Sequence, residues 1–201
     1  MLLPSGRGGT GCVMRQMKRS SNTEWTLFEG MTRIPESQAP NVRNGNIRAE
    51  IRAEKVPDKA SGVIFAMGGY AGGVSLYALD GELYYEYSAL LLKRDKIKVG
   101  KLPTGEVKID LEMRTPLERA APAEVRFWIN GKEAATGTVQ RTVPGTFTAS
   151  ETFDVGMDTC SPVADGYFDE APFKFEGKLK QLHFNNLQDE RPAFKRSPDD
   201  D

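Results

Sequence analysis

The sequence predicts an all-β protein, an antiparallel two-sheet β-sandwich, and three observations favour this fold. Short segments of alternating or β-branched and aromatic residues recur along the chain. The dipeptides Asp80-Gly81 and Asn130-Gly131 stand between such segments, as in two-residue hairpin turns. A long segment of helical periodicity is missing. About ten short strands in 201 residues are typical of a sandwich.

The first predicted strand, residues 46–54, is the most ambiguous. The sequence NIRAEIRAE alternates apolar and charged residues and places Ile47, Ala49, Ile51 and Ala53 on one face. The same residues are good helix formers, and Ile47 and Ile51 are four positions apart, so a short amphipathic helix is the alternative. The run is short and lies between Asn44-Gly45 and Pro57, which favours a strand.

A glycine-rich hairpin is predicted next, over residues 62–81. Its cluster Gly68-Gly69-Tyr70-Ala71-Gly72-Gly73 lacks the Lys-Ser/Thr pair of a phosphate-binding loop and precedes a strand. We therefore expect these glycines to permit a tight turn. Strands are then predicted at 74–79 and 83–87.

The second half of the chain supplies further strands at 107–113 and 125–129, where Asn130-Gly131 reverses the chain into EAATGTVQRTV. The segment 174–184 predicts a last strand or strand pair. We expect the core to include the alternating residues Val107, Ile109, Leu111, Val125, Phe127 and Ile129.

Composition limits the organisation and the partners. We expect a flexible arm over residues 1–24, a sandwich over 25–187 and a polar tail over 188–201. Lys+Arg 27 against Asp+Glu 28 gives a net charge of −1, which disfavours nucleic acid. No signal peptide or membrane-spanning run is visible, so we expect no membrane partner, and the localisation stays open.

Candidate site residues are few. Two distant cysteines, Cys12 and Cys160, and one histidine, His183, are too few for a zinc site or a disulfide framework. We expect His183 to be a partly buried structural imidazole. The five acidic residues between Asp154 and Glu170 suit either a solvated loop or a calcium site.

Exposed aromatic rings of a sandwich often stack on sugars. The candidates are Tyr70, Tyr77, Tyr84, Tyr85, Tyr87, Trp128, Tyr167 and Phe168. We expect most of them to lie in the core. Alternation places Leu83, Tyr85 and Tyr87 on one face of their strand and Tyr84 on the other, where core packing does not require a ring.

Five segments in the same order resemble the C-terminal region of bacterial arylsulfatases. They read WTLFEGMTRIPESQAPNVRN, GVIFAMGGYAGGVSLYALDGELYYEY, EVRFWINGKEAATGTVQRTVP, FDVGMDTCSPVADGYF and FEGKLKQLHF, and they lie within residues 25–185. The resemblance implies a concanavalin/laminin-G-like jelly roll that follows a catalytic domain. The chain departs from the family at SALLLKRDKIKVGK, residues 88–101, and at Cys160, where glycine is usual.

The family's catalytic residues have no counterpart here. Cys160-Ser161-Pro162 is similar to the start of the sulfatase signature, but Val163 and Ala164 stand where it continues with serine and arginine. The resemblance therefore implies no catalytic, cofactor-binding or metal residue and no cofactor. It implies a non-catalytic accessory domain whose partner is a sulfatase catalytic domain or a glycan. The alternative is a free-standing concanavalin-like carbohydrate-binding module.

Overall fold

The computed structural model describes residues 22–147 and 150–187, which form twelve strands in two six-stranded antiparallel sheets. In spatial order the first sheet contains β1 (Glu24–Leu27), β12 (Lys178–Asn186), β3 (Ile47–Val56), β8 (Gly105–Arg114), β9 (Ala123–Ile129) and β10 (Lys132–Val139). The second contains β2 (Ile34–Pro35), β11 (Thr152–Val155), β4 (Gly62–Gly69), β5 (Gly72–Leu79), β6 (Glu82–Ala89) and β7 (Lys93–Lys101). The predicted all-β sandwich is confirmed. The predicted tail and most of the predicted arm lie outside the described residues.

The ambiguous segment is a strand. In β3, Ile47, Ala49 and Ile51 are fully buried, and the charged residues between them face outward. The strand pairs with β8 on one side and β12 on the other. Its apolar face therefore contributes to the core, which outweighs the intrinsic helix propensity of Ala, Glu and Arg.

Three hairpin turns have positive φ at both central residues. Asp80-Gly81 joins β5 to β6, and Asn130-Gly131 joins β9 to β10, as predicted from their sequences. The third turn, between β6 and β7, has Leu90 and Leu91 at φ 53 and 60, and the Leu92 N–H donates to Ala89 O. The sequence contains no turn residue there, so this hairpin was not predicted.

The core lies between the sheets. The predicted inward residues of β8 and β9 are buried there, apart from Ile129, which is partly exposed. The Phe127 ring lies 5.5 Å from the Tyr85 ring across the core. Phe65, Phe153 and Phe184 form a second group of rings in mutual contact.

The outer face of the second sheet is covered as well. A segment of residues 156–177, which we call the covering segment, crosses this face and includes short 3₁₀ turns over Asp165–Glu170. It buries Val163, Tyr167 and Phe173 against the outward residues Val63, Ala66 and Tyr77. Tyr84 stacks on Tyr77 with ring centroids 5.6 Å apart. Tyr84 packs at the side of this outer cluster and stays partly exposed, so the core between the sheets does not enclose its ring. In the part of the chain that is described, no helix is long and apolar enough to span a bilayer.

Candidate functional site

The outer face of the first sheet is the sheet face without such a cover among the described residues, and we call it the open face. Its strands alternate, so that every second side chain points outward. The outward residues include Arg48, Glu50, Arg52 and Glu54 of β3, Lys108, Asp110, Glu112 and Arg114 of β8, Glu124, Arg126 and Trp128 of β9, Glu133, Thr136 and Thr138 of β10, and Gln181, His183 and Asn185 of β12. The face is thus charged, with both signs interspersed.

A repeated Glu-x-Arg arrangement organises these charges. Within one strand, residues two positions apart lie side by side on the same face. The Arg52 Nε donates to Glu50 at 2.7 Å, and the Arg114 Nε donates to Glu112 at 2.8 Å. The third pair, Arg126 and Glu124, has the same Nε bond.

All three guanidinium groups are half exposed and hold their glutamate through Nε. Among the described residues, the structure shows no hydrogen-bond acceptor for their Nη groups. Three arginines are therefore oriented by a neighbour while their bidentate edges stay free for an anion.

Trp128 is the only Trp, Tyr or Phe that the described strands place on the open face. It lies between Asp110 of β8 and Glu133 of β10 in the register, and Asp110 in turn lies opposite Glu50. Arg126 precedes Trp128 by two positions on the same face, at a distance of about 7 Å along the strand. The indole is partly exposed, so a flat apolar ring stands beside an anchored guanidinium.

Asp110 is buried beneath longer side chains, with 4% of its surface exposed. The Lys108 Nζ lies 3.2 Å from Oδ1, and the Arg48 Nη2 lies 3.9 Å from it, so two cations face this buried carboxylate. Lys108 also binds Glu50 at 2.7 Å. The hydrogen bonds from Lys108 and then Arg52 lower the pKa of Glu50. Glu50 is therefore ionised near neutral pH.

Two depressions lie towards the ends of the open face. One, of about 520 Å³, is lined by Arg52, Glu54, Lys108, Asn130 and Lys180 among others. The other, of about 640 Å³, lies beside Arg114, Glu124, Thr136 and Thr138. Trp128 and Arg126 belong to the strand surface between them.

The other candidate residues do not form a site. His183 lies on the open face with Nε2 3.0 Å from Glu24 and Nδ1 3.1 Å from the Thr26 hydroxyl. Thr26 and Glu24 belong to the edge strand β1. The histidine is partly buried, as expected, and holds the edge strand.

The buried carboxylates of the acidic loop, Asp154 and Asp158, accept hydrogen bonds from within the protein. Asp154 accepts from the Arg33 N–H at 2.6 Å and from Thr159 N and Oγ1 at 2.9 and 2.7 Å. Asp158 accepts from the Val163 N–H and from Tyr167 Oη. The described residues contain no group of three acidic, His or Cys side chains that is suited to a metal ion. Cys160 is an exposed free thiol on this loop.

The sequence contains one signal for the charged pairs of the open face. The spacing Glu-x-Arg occurs at 50–52, within the predicted strand 46–54, and at 112–114 and 124–126, which overlap the ends of the predicted strands 107–113 and 125–129. Alternation alone places both members of each pair on the same outward face. The association of these strands in one sheet is not encoded locally, so their assembly around Trp128 required the structure.

No protein-family model and no curated protein matches the chain. Among solved structures, the CBM40 domain of the Ruminococcus gnavus IT-sialidase, bound to α2,3 sialyllactose, has a TM-score of 0.52 and 14% identity, over 84% of this chain and 92% of that one. The leech intramolecular trans-sialidase has a TM-score of 0.53 and 12% identity, over 84% of this chain and 26% of that one. Domains LG4-5 of the mouse laminin α1 chain have a TM-score of 0.46 and 14% identity, over 89% and 44%. The fold is a concanavalin/laminin-G-like sandwich.

Proposed function

We infer that this chain is a carbohydrate-binding module, and that its ligand is an acidic saccharide that binds on the open face at Trp128 and Arg126. The observation that carries this proposal is the set of Glu-anchored arginines beside the partly exposed indole of Trp128, the one aromatic ring that the described strands place on that face. A sugar ring stacks its C–H face on an indole, and a guanidinium edge binds a carboxylate or a sulfate through two parallel hydrogen bonds.

The preference for an acidic saccharide follows from the state of the arginines. Each Nε is committed to a glutamate, which fixes the orientation of the planar group before a ligand arrives and reduces the entropy that binding costs. Arg48 adds a fourth, half-exposed guanidinium, whose recorded contact is a loose one with Asp110 at 3.9 Å. The glutamates repel an anion, so an acidic ligand gains affinity only where its charged group reaches the Nη atoms of the arginines.

The structural neighbours support this choice of ligand class. The R. gnavus domain, which shares the fold over most of both chains, was solved with α2,3 and with α2,6 sialyllactose, both of which carry a carboxylate. At 13–14% identity this similarity concerns the fold, so the residues proposed here are those of the present chain alone.

The test is isothermal titration of the chain with α2,3 sialyllactose, with a sulfated disaccharide and with neutral lactose. We expect one of the acidic sugars to bind at least about tenfold more tightly than lactose. Arg126→Gln should remove that preference, and Trp128→Ala should weaken all binding, whereas Arg141→Gln, which lies outside the open face, should change nothing. Equal affinity for acidic and neutral sugars, or binding that survives both open-face variants, would overturn the proposal.

The accessory role beside a sulfatase catalytic domain is a second proposal. Its support is the resemblance of five sequence segments, in the same order, to the C-terminal region of arylsulfatases. A docking module should present a broad apolar patch, and the open face is instead charged. If the role holds, adding the purified chain to an arylsulfatase catalytic domain without its own C-terminal region should raise the melting temperature of that domain. The chain alone should not hydrolyse an aryl sulfate, and turnover that Cys160→Ala abolishes would contradict this.

A further inference from the structure

The hairpin between β6 and β7 ends in three consecutive leucines, Leu90, Leu91 and Leu92, which we call the leucine tip. Leu91 and Leu92 expose 65% and 70% of their surface, and Leu90 exposes 43%. Isolated exposed leucines are ordinary on protein surfaces, but three in a row at a convex tip form an apolar projection.

The backbone of the leucine tip makes these residues unfavourable for folding. Leu90 and Leu91 have φ of 53 and 60, a left-handed conformation that bulky side chains rarely adopt. At the two other turns of this kind the chain has Asp80-Gly81 and Asn130-Gly131, the residues that suit them. Leucines that neither pack in the core nor fit the turn point to a role outside the fold.

The surroundings of the leucine tip are aromatic and basic. Leu90 packs beside Gly72, next to the β4–β5 turn, where the partly exposed rings of Tyr70 and Phe168 lie 5.1 Å apart. The strand that leaves the tip, β7, carries five basic residues against one acidic residue, Asp95. Of these, Lys93, Lys96 and Lys98 are about half exposed, and each lies within 4.0 Å of one carboxylate, so β7 keeps a net positive charge only because its basic residues outnumber these acidic partners.

We propose that the leucine tip inserts into the interface of an anionic lipid bilayer, with the half-exposed Lys93, Lys96 and Lys98 of β7 facing the headgroups. A stable protein partner needs about 800 Å² on each side, which a three-residue projection does not offer. A bilayer interface needs only an apolar wedge with basic residues behind it, because burial of the leucines and attraction to the negative surface add together. The expectation of no membrane partner was based on the lack of a spanning segment, and a peripheral contact does not require one.

The test is co-sedimentation of the chain with vesicles of phosphatidylcholine containing about 30% phosphatidylserine, and with phosphatidylcholine alone. The vesicles carry no glycan, so the result is independent of the proposed saccharide site. We expect binding to the anionic vesicles that weakens with added salt. Leu90→Asn/Leu91→Gly should weaken binding about tenfold or more. Because this variant supplies the residues that the turn favours, its melting temperature should rise by about 3 °C.

Two further variants complete the design. Leu117→Ser removes a leucine that is 62% exposed in another loop, and should leave vesicle binding unchanged. Lys93→Gln should weaken binding to the anionic vesicles only. No sedimentation of the parent chain, or undiminished binding of the Asn-Gly variant, would overturn the proposal. So would a concentration-dependent dimer that the Asn-Gly variant loses, since the leucines would then be covered by a second copy.

Discussion

Tyr167 donates a hydrogen bond of 2.7 Å from Oη to Oδ2 of Asp158, and both side chains are buried between the second sheet and the segment 156–177. Oη also lies 2.9 Å from Ser75 Oγ of β5. The bond to Asp158 lies within the covering segment, and the contact with Ser75 joins that segment to the sheet beneath it. Burial raises the pKa of Asp158 to about 6, against the bonds from Val163 and Tyr167, which lower it.

The raised pKa of Asp158 predicts that the covering segment is more stable in mild acid. The folded pKa of about 6 is above the ordinary value of 3.8, so protonation of Asp158 favours the folded state. This contribution is complete below about pH 4, and it is lost as the pH rises through 6. The difference corresponds to at most about 3 kcal/mol.

Urea unfolding of the parent and of Asp158→Asn at pH 4.5 and pH 7.5 measures this contribution. The asparagine of the variant cannot titrate, so the stability of the variant relative to the parent should increase from the lower to the higher pH. A difference between the two proteins that does not change with pH would show that Asp158 titrates normally.

The core position of Phe127 predicts a large loss on truncation. Phe127→Ala should lower the free energy of unfolding by about 3–5 kcal/mol, since the ring is fully buried against Tyr85. The adjacent exposed residue provides the control, and Arg126→Ala should cost less than about 1 kcal/mol. Thermal unfolding checks both, and equal losses would contradict the alternation of β9.

Local signals explain which elements the sequence could predict. The strands β3, β5, β6, β8 and β9 were found from alternation, and two hairpins were found from Asp-Gly and Asn-Gly, because these patterns act over a few residues. The strand β7 was missed, since its charged sequence has no alternation and the turn before it has two leucines in place of turn residues.

Contacts between distant residues explain the rest. Ser75 and Tyr167 are 92 positions apart, and the loop that carries Tyr167 has no periodic pattern. Nothing local indicated that this loop would cover the ring of Tyr77. The covering segment lies on the second sheet, so the outer face of the first sheet is the one that stays open. The sequence does not show which sheet the segment covers, and it therefore could not show which face carries the candidate site.

Calcium should have no effect on the stability of the acidic loop. Both carboxylate oxygens of Asp154 accept backbone or hydroxyl hydrogen bonds, and a cation would have to break them. We expect the melting temperature to be the same in EDTA and in millimolar calcium. A rise in calcium that Asp154→Asn abolishes would identify a site there.

Arg94 should be essential for the stability of the covering segment. Its guanidinium both neutralises a buried carboxylate and donates a hydrogen bond to the segment. Nη1 donates to Glu86 at 2.8 Å and to the Val163 carbonyl at 2.6 Å, and Glu86 also accepts from Tyr77 Oη. Glu86 is 1% exposed, so Arg94→Met leaves its charge without this partner, with Lys96 4.0 Å away. We expect a loss of about 3 kcal/mol in the free energy of unfolding.

The matched control is the double variant Glu86→Gln/Arg94→Met, which removes the buried charge together with its partner. Since the glutamine still accepts the hydrogen bond from Tyr77, the double variant should recover a large part of the stability that Arg94→Met loses. Urea unfolding at pH 7.5 measures all three proteins. If the double variant were as unstable as the single one, the loss would come from the bonds that hold the covering segment, and the buried charge would be unimportant.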